Sequence, residues 1–226
     1  MNWRRLIPNS ISSASLIFGV LSIFKTIEGD FFLAPVFIVI AVLFDSMDGR
    51  AARALGVGGG DFGKEMDSLC DMCSFGVAPA IMIYMYGLQK LGLAGQVIAA
   101  LFAVGGLRLA RFNCNTGVVH GYFQGMPIPA GACFLATYVV SGYQFAPAVL
   151  AAVTLVIACI MYSEVKFPDF KGKGNPMYRL PVIIAVIVGA VMLYERPGAW
   201  PFVAMFTYTL AGIVNHVYRA LTGKNK

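Results

Sequence analysis

Long apolar stretches alternate with short polar segments along the whole chain. Each stretch approaches the ~20 residues that a helix needs to cross the hydrocarbon core of a bilayer. The pattern therefore predicts an all-α bundle of about eight transmembrane helices, forming a single membrane domain over residues 1–226. The predicted spans are Pro8–Thr26, Phe31–Ala54, Lys64–Leu88, Leu91–Arg111, Pro127–Tyr143, Phe145–Tyr162, Leu180–Tyr194 and Pro201–Leu221.

Composition supports a membrane protein over a soluble one. Charged residues make up 12% of the chain, about half the share of roughly 25% that is usual in soluble domains. Hydrophobic residues make up 58%, and the mean hydropathy is +0.74. The net charge of +6 lies mainly in the segments between spans, so it predicts no nucleic-acid partner.

Lysine and arginine are distributed unequally between the two sides of the predicted bundle. If both termini are cytosolic, the outside segments hold only Lys25, Lys90 and Arg196. The inside segments hold Arg4, Arg5, Arg50, Arg53, Lys64, Arg108, Arg111, Lys166, Lys171, Lys173, Arg179, Arg219, Lys224 and Lys226. This bias follows the positive-inside rule and predicts a multi-pass protein of the cytoplasmic membrane with cytosolic N- and C-termini.

Acidic residues concentrate at the junction of the second and third predicted spans. Asp45 and Asp48 are three residues apart on one helix, and Asp67 and Asp71 are four apart on the next. Both spacings place the two side chains on one helical face. We therefore expect four carboxylates at similar depth, near the cytosolic boundary of the membrane.

Four carboxylates within apolar helices are costly unless cations neutralise them. An oxygen-only ligand set without clustered His or Cys favours one or two hard divalent ions, Mg²⁺ or Mn²⁺. Arg50 and Arg53 are placed to meet phosphate oxygens, and the small Gly49 and Ala52 permit close approach of a nucleotide. Two alternatives are a surface ion-pair network with Arg50, Arg53 and Lys64, and a cation or proton pathway.

These residues resemble the signature of the CDP-alcohol phosphotransferases. That signature is Asp-x2-Asp-Gly-x2-Ala-Arg, a spacer of eight or nine residues, and Gly-x3-Asp-x3-Asp. All eight specified positions match, with a nine-residue spacer between Arg53 and Gly63. The matching residues are Asp45, Asp48, Gly49, Ala52, Arg53, Gly63, Asp67 and Asp71.

The resemblance implies a role for each of these positions. Asp45, Asp48 and Asp67 would hold a two-metal centre, and Asp71 would contribute to it and act as general base. The cytidine diphosphate would be bound by Asp48, Gly49, Ala52, Arg53 and Gly63. The family also implies a six-helix catalytic core, here with two additional helices, and a homodimer.

Other stretches resemble the phosphatidylserine synthase branch of the family. They include the opening Ile7-Pro8-Asn9 and the segments around Arg108–Asn113 and Phe123–Ala130. This branch implies transfer of a phosphatidyl group from CDP-diacylglycerol to L-serine, with release of CMP. Glycerol 3-phosphate and an inositol phosphate remain alternative acceptors.

The acceptor site has three candidate residues near the inner end of the fourth span. Arg108 and Arg111 are candidates for binding the serine carboxylate or the lipid phosphate, and Asn113 for adding a hydrogen bond. The alternative is that the two arginines only anchor the end of the helix.

Overall fold

The computed structural model describes residues 3–57, 60–115, 122–168 and 177–222, and helices make up most of them. A π-helical segment, Met72–Val77, joins α3 to α4 without a break. Short 3-10 turns, Leu88–Leu91 and Pro197–Ala199, precede α5 and α10. The helices are α1 Trp3–Ile27, α2 Leu33–Ala54, α3 Asp61–Asp71, α4 Ala78–Tyr86, α5 Leu93–Gly105, α6 Arg108–Asn115, α7 Ile128–Val140, α8 Pro147–Tyr162, α9 Arg179–Glu195 and α10 Trp200–Leu221.

Every predicted span coincides with helix, although lengths and breaks differ. The fourth predicted span is divided at Gly106–Leu107, where α5 ends and α6 begins. Within the described residues, four segments are long and apolar enough to cross a membrane by length and composition. They are Leu6–Ile27, Asp61–Tyr86, Leu93–Cys114 and Pro197–Leu221. The chain is therefore a multi-pass membrane protein, and α7 and α8 are shorter apolar helices.

The outer face of α9 supports this membrane assignment. Ile183, Ile187 and Val191 follow one another at helical spacing and are all exposed in the isolated chain. Exposure of such a row of large apolar side chains to water is unfavourable, whereas lipid accommodates it.

The second half of α2 differs from α9 because it carries four charged residues, Asp45, Asp48, Arg50 and Arg53. This half of the helix is therefore suited to a polar site.

The helices that hold the acidic residues are packed around α1. α1 lies along α2, and it also contacts α3, the π-helical segment and α4. Gly19 of α1 allows this close approach, since a Cβ there would fall 2.7 Å from the Cα of Ser74. Ser74 Oγ also donates a hydrogen bond of 3.1 Å to the carbonyl of Ser15. α1 therefore fixes the segment that immediately follows Asp71.

A small antiparallel ribbon lies between the helices. β1 (Tyr122–Gln124) pairs with β2 (Lys166–Pro168), and Phe123 is opposite Phe167. Gly125, which follows β1, has φ +72° and its N–H donates to the carbonyl of Val165 at 2.9 Å. A side chain is strained in this conformation, so glycine suits the turn.

Candidate active site

The second half of α2 and the second half of α3 bring together the acidic residues that the helical spacing predicts. Ligand oxygens of Asp45, Asp67 and Asp71 all lie within 4.8 Å of one another. Asp67 is within hydrogen-bonding range of Asp48, and Asp71 of Asp45. The four carboxylates therefore form one cluster, which we call the acidic cluster.

Asp48 occupies the side of the acidic cluster that faces α1. It is 8% exposed, and Ser12 Oγ donates a hydrogen bond of 2.6 Å to its Oδ2. Ser12 is itself buried and also donates to the carbonyl of Pro8 at 3.2 Å. This contact restricts the orientation of the Asp48 carboxylate.

The acidic cluster fits a divalent cation. Close carboxylates repel one another unless a cation or a shared proton neutralises them. Asp67 Oδ1 and Asp71 Oδ1 are buried and have no hydrogen-bond partner among the described residues. Buried acceptors without partners are rare in folded proteins, and a bound cation would satisfy both oxygens. The donors are oxygens, which is the set that Mg²⁺ and Mn²⁺ prefer.

A cavity of about 280 Å³ opens beside the acidic cluster. Asp48 and Asp67 belong both to the cluster and to the cavity wall. The wall is completed by residues of α1, α2, α3 and the segment before α3, namely Pro8, Asn9, Ser12, Gly49, Ala52, Val57, Gly60, Asp61, Phe62, Gly63 and Lys64. Of the residues predicted to bind a nucleotide diphosphate, Asp48, Gly49, Ala52 and Gly63 line this cavity, and Arg53 is not among its lining residues.

Two glycines of the signature leave space in this cavity. A Cβ on Gly49 would lie 3.5 Å from Arg53 Nη1, and one on Gly63 would lie 3.6 Å from Asn9 Oδ1. Both distances are ordinary van der Waals contacts, so internal packing does not require glycine at either position. Arg53 is exposed, and its guanidinium lies near Gly49, which lines the cavity.

The three acceptor-site candidates contact backbone and side chains near the end of the fourth span. Arg108 Nη1 donates to the carbonyl of Met126 at 2.8 Å, and Arg111 Nη2 to that of Ser163 at 2.8 Å. Asn113 Nδ2 donates to Ser68 Oγ at 2.7 Å. Arg108 is also close enough to Asp71 of the acidic cluster for an electrostatic interaction.

Lys64 forms no salt bridge with the acidic cluster among the described residues, although the surface-network alternative predicts one. Its Nζ donates a hydrogen bond of 2.7 Å to the carbonyl of Asn113. Lys64 therefore links α3 to the end of α6, while Arg50 and Arg53 are exposed at the end of α2. This arrangement favours a ligand site over an internal network of ion pairs.

Comparison with known proteins agrees with this geometry. The family model for CDP-alcohol phosphatidyltransferase matches residues 5–163, which contain the whole signature. The chain belongs to this family. The matched segment ends directly after α8, so β2, α9 and α10 lie beyond it.

Relatives of this family member occur in bacteria and archaea. A CDP-diacylglycerol–serine O-phosphatidyltransferase from Helicobacter pylori is 32% identical and aligns with 98% of this chain and 96% of its own length. One from Bacillus subtilis is 36% identical over 73% of this chain and 91% of its own. An archaetidylserine synthase from Methanothermobacter thermautotrophicus is 36% identical over 74% and 72%.

The structure adds α1 to the site, a contribution that sequence reasoning missed. In the sequence, Ile7-Pro8-Asn9 stands out only as part of the family resemblance, and no pattern assigns a role to Ser12. The signal was present, because Pro8, Asn9 and Ser12 follow at spacings that share one helical face. What the sequence does not reveal is that this face of α1 is turned toward Asp48.

Proposed function

We propose that this protein transfers a phosphatidyl group from CDP-diacylglycerol to L-serine, giving phosphatidylserine and CMP. The observation that carries the proposal is the sharing of Asp48 and Asp67 between the acidic cluster and the adjoining cavity. A diphosphate in that cavity would lie against the carboxylates. The names of the relatives favour serine as the acceptor.

The proposed site has a divalent-metal centre held by Asp45, Asp48, Asp67 and Asp71. Bound Mg²⁺ or Mn²⁺ would neutralise charge on the diphosphate and on the departing CMP. Gly49, Ala52 and Gly63 leave room for the nucleotide, and Arg53 binds phosphate oxygens. The apolar helices keep the acyl chains of the donor in the membrane.

Asp71 is the proposed general base. A serine hydroxyl is a weak nucleophile at neutral pH, so its proton must be removed as the new bond forms. The hydroxyl oxygen forms a bond to the β-phosphorus, the bond from that phosphorus to the CMP oxygen breaks, and Asp71 takes the proton. Asp71 is buried, and its Oδ1 has no hydrogen-bond partner among the described residues. As a member of the acidic cluster, Asp71 would have to balance metal coordination against basicity. Arg108 and Arg111 would bind the carboxylate of serine, with Asn113 beside them.

The membrane arrangement is part of the same proposal. Eight spans with cytosolic termini, in the cytoplasmic membrane, would place the acidic cluster at the cytosolic face, where serine and nucleotide arrive from water. The charge asymmetry of the segments between spans supports this orientation. We also propose a homodimer, as the family resemblance implies.

One assay tests the proposed function. Purified protein is supplied with CDP-diacylglycerol, Mg²⁺ or Mn²⁺ and a panel of alcohols, and CMP release is measured. We expect release that depends on serine. Release with glycerol 3-phosphate or an inositol phosphate instead would assign a different acceptor. Absence of release with every acceptor, together with cation flux in liposomes, would support transport. A parallel series with an ether-linked CDP donor tests the lipid class, since one relative is an archaetidylserine synthase.

Gly63→Ala is expected to weaken donor binding without destabilising the fold. Alanine is the better helix former by about 1 kcal/mol, and its Cβ makes no clash with the protein. The methyl group instead occupies cavity space, so we expect KM for CDP-diacylglycerol to rise about tenfold or more. The checks are steady-state kinetics and a thermal melt. A normal KM in the stable variant would contradict a nucleotide site at this wall.

Ser12→Ala is expected to weaken metal binding about tenfold, because Asp48 Oδ2 loses its donor at 2.6 Å. Mn²⁺ affinity, measured by electron paramagnetic resonance on the purified protein, checks this. Ser13→Ala is the matched control, since Ser13 Oγ donates to the carbonyl of Asn9 within its own helix. Equal Mn²⁺ affinity in the two variants would show that the Ser12 contact does not orient Asp48.

A further inference from the structure

Arg108 is held in one orientation by the segment that follows β1. Its Nη1 donates to the carbonyls of Gln124, Gly125 and Met126 at 3.3, 3.0 and 2.8 Å. The side chain is 5% exposed, and its Nε has no hydrogen-bond partner among the described residues. Arg108 therefore has one buried N–H without a partner among the described residues, and it is close enough to Asp71 for an electrostatic interaction.

The carbonyls that hold Arg108 depend in turn on β2. Gln124 is opposite Lys166 in the ribbon, and Phe123 is opposite Phe167. The N–H of Gly125 donates to the carbonyl of Val165 at 2.9 Å. A displacement of β2 is therefore transmitted through backbone hydrogen bonds to the carbonyls that accept hydrogen bonds from Arg108.

The position of β2 is fixed by α10. Phe167 is fully buried, and its ring lies against Gly212 and 5.3 Å from the ring of Tyr208. A Cβ on Gly212 would fall 2.6 Å from Cζ of Phe167, closer than real side chains approach. Gly212 therefore forms a socket that admits the ring, and we call this the Phe167 socket.

We infer that the Phe167 socket is a positioning device that sets the acceptor affinity of the enzyme through β2, β1 and Arg108. This inference rests on the proposed function, in which Arg108 binds the acceptor carboxylate. The socket lies beyond the segment matched by the family model, which ends at residue 163. α10 thus contributes to the reaction by orienting Arg108 through β2.

The test is the variant Gly212→Ala in the full-length protein. The added methyl pushes Phe167 and β2 outward, so Arg108 loses its alignment. We expect KM for serine to rise about tenfold or more, since small misplacements of a binding group are costly. KM for CDP-diacylglycerol is expected to stay within about threefold, because the donor cavity lies on α1, α2 and α3. Gly198→Ala is the control, since a Cβ there meets nothing within 4 Å.

A second variant separates positioning from general damage. Phe167→Leu removes ring volume, so Gly212→Ala/Phe167→Leu restores space in the socket and is expected to recover much of the serine KM. If the two substitutions damaged the protein independently, their effects on the serine KM would instead accumulate in the double variant. Unchanged serine KM in folded Gly212→Ala, or a double variant worse than either single one, would overturn the inference. Wild-type protein without serine-dependent CMP release would overturn the proposed function itself.

Discussion

Asp71→Asn is expected to lower kcat with serine by about 10²- to 10⁴-fold, the usual contribution of a general base. The amide keeps the size of the side chain but accepts no proton from the serine hydroxyl. Three of the four carboxylates remain, so Mn²⁺ binding is expected to survive, though more weakly. Steady-state kinetics over a range of serine concentrations, with Mn²⁺ binding in parallel, check this.

Glu65→Gln is the matched control for Asp71→Asn. Glu65 lies on the same helix and is exposed, outside the acidic cluster, so the substitution removes one negative charge from α3 without touching the site. We expect near-normal kcat in this variant. Turnover of Asp71→Asn within about threefold of wild type, well below the contribution of a positioned base, would exclude Asp71 from that role.

The convergence of the acidic residues was predictable because it depends on helical periodicity and on a short connection between two helices. Spacings of three and four residues place Asp45 with Asp48 and Asp67 with Asp71, whatever the rest of the fold does. The second and third spans are neighbours in sequence with a short connection, so their facing ends meet. The structure brings the four side chains together as those spacings require.

The contribution of α1 was less predictable, because it depends on how α1 is rotated against α2. A serine on an apolar helix usually satisfies itself on its own backbone, as Ser13 does with Asn9. Ser12 has a similar contact with Pro8, but it also reaches Asp48 because α1 lies along α2 with this face turned toward Asp48. Residue type alone does not distinguish the two serines.

Two local irregularities, the π-helical segment and the β1–β2 ribbon, were also not predicted from the sequence. The π-helical segment Met72–Val77 follows Asp71 directly, and a pattern with a period of 3.6 does not reveal its wider turn. The strands β1 and β2 are three residues each, too short for an alternating pattern to be recognised. Consequently the support that the ribbon gives to Arg108 had no signature in the sequence.

Asp67→Asn is expected to weaken Mn²⁺ binding by at least about 100-fold, more than the loss of a group that only orients a ligand. Asp67 joins the two halves of the acidic cluster, since it lies with Asp45 and Asp71 and also contacts Asp48. Its Oδ1 is one of the two buried carboxylate oxygens without a hydrogen-bond partner among the described residues. An amide at this position halves the oxygen donors and removes the charge.

Asp61→Asn is the control that separates ligation from general electrostatics. Asp61 lines the cavity but is exposed at the start of α3, so its loss lowers the negative potential near the site without removing a member of the cluster. Electron paramagnetic resonance titration of both purified variants with Mn²⁺ compares the two effects. If Asp61→Asn weakens binding as much as Asp67→Asn does, cations are attracted by the overall charge and the acidic cluster is not a coordination site.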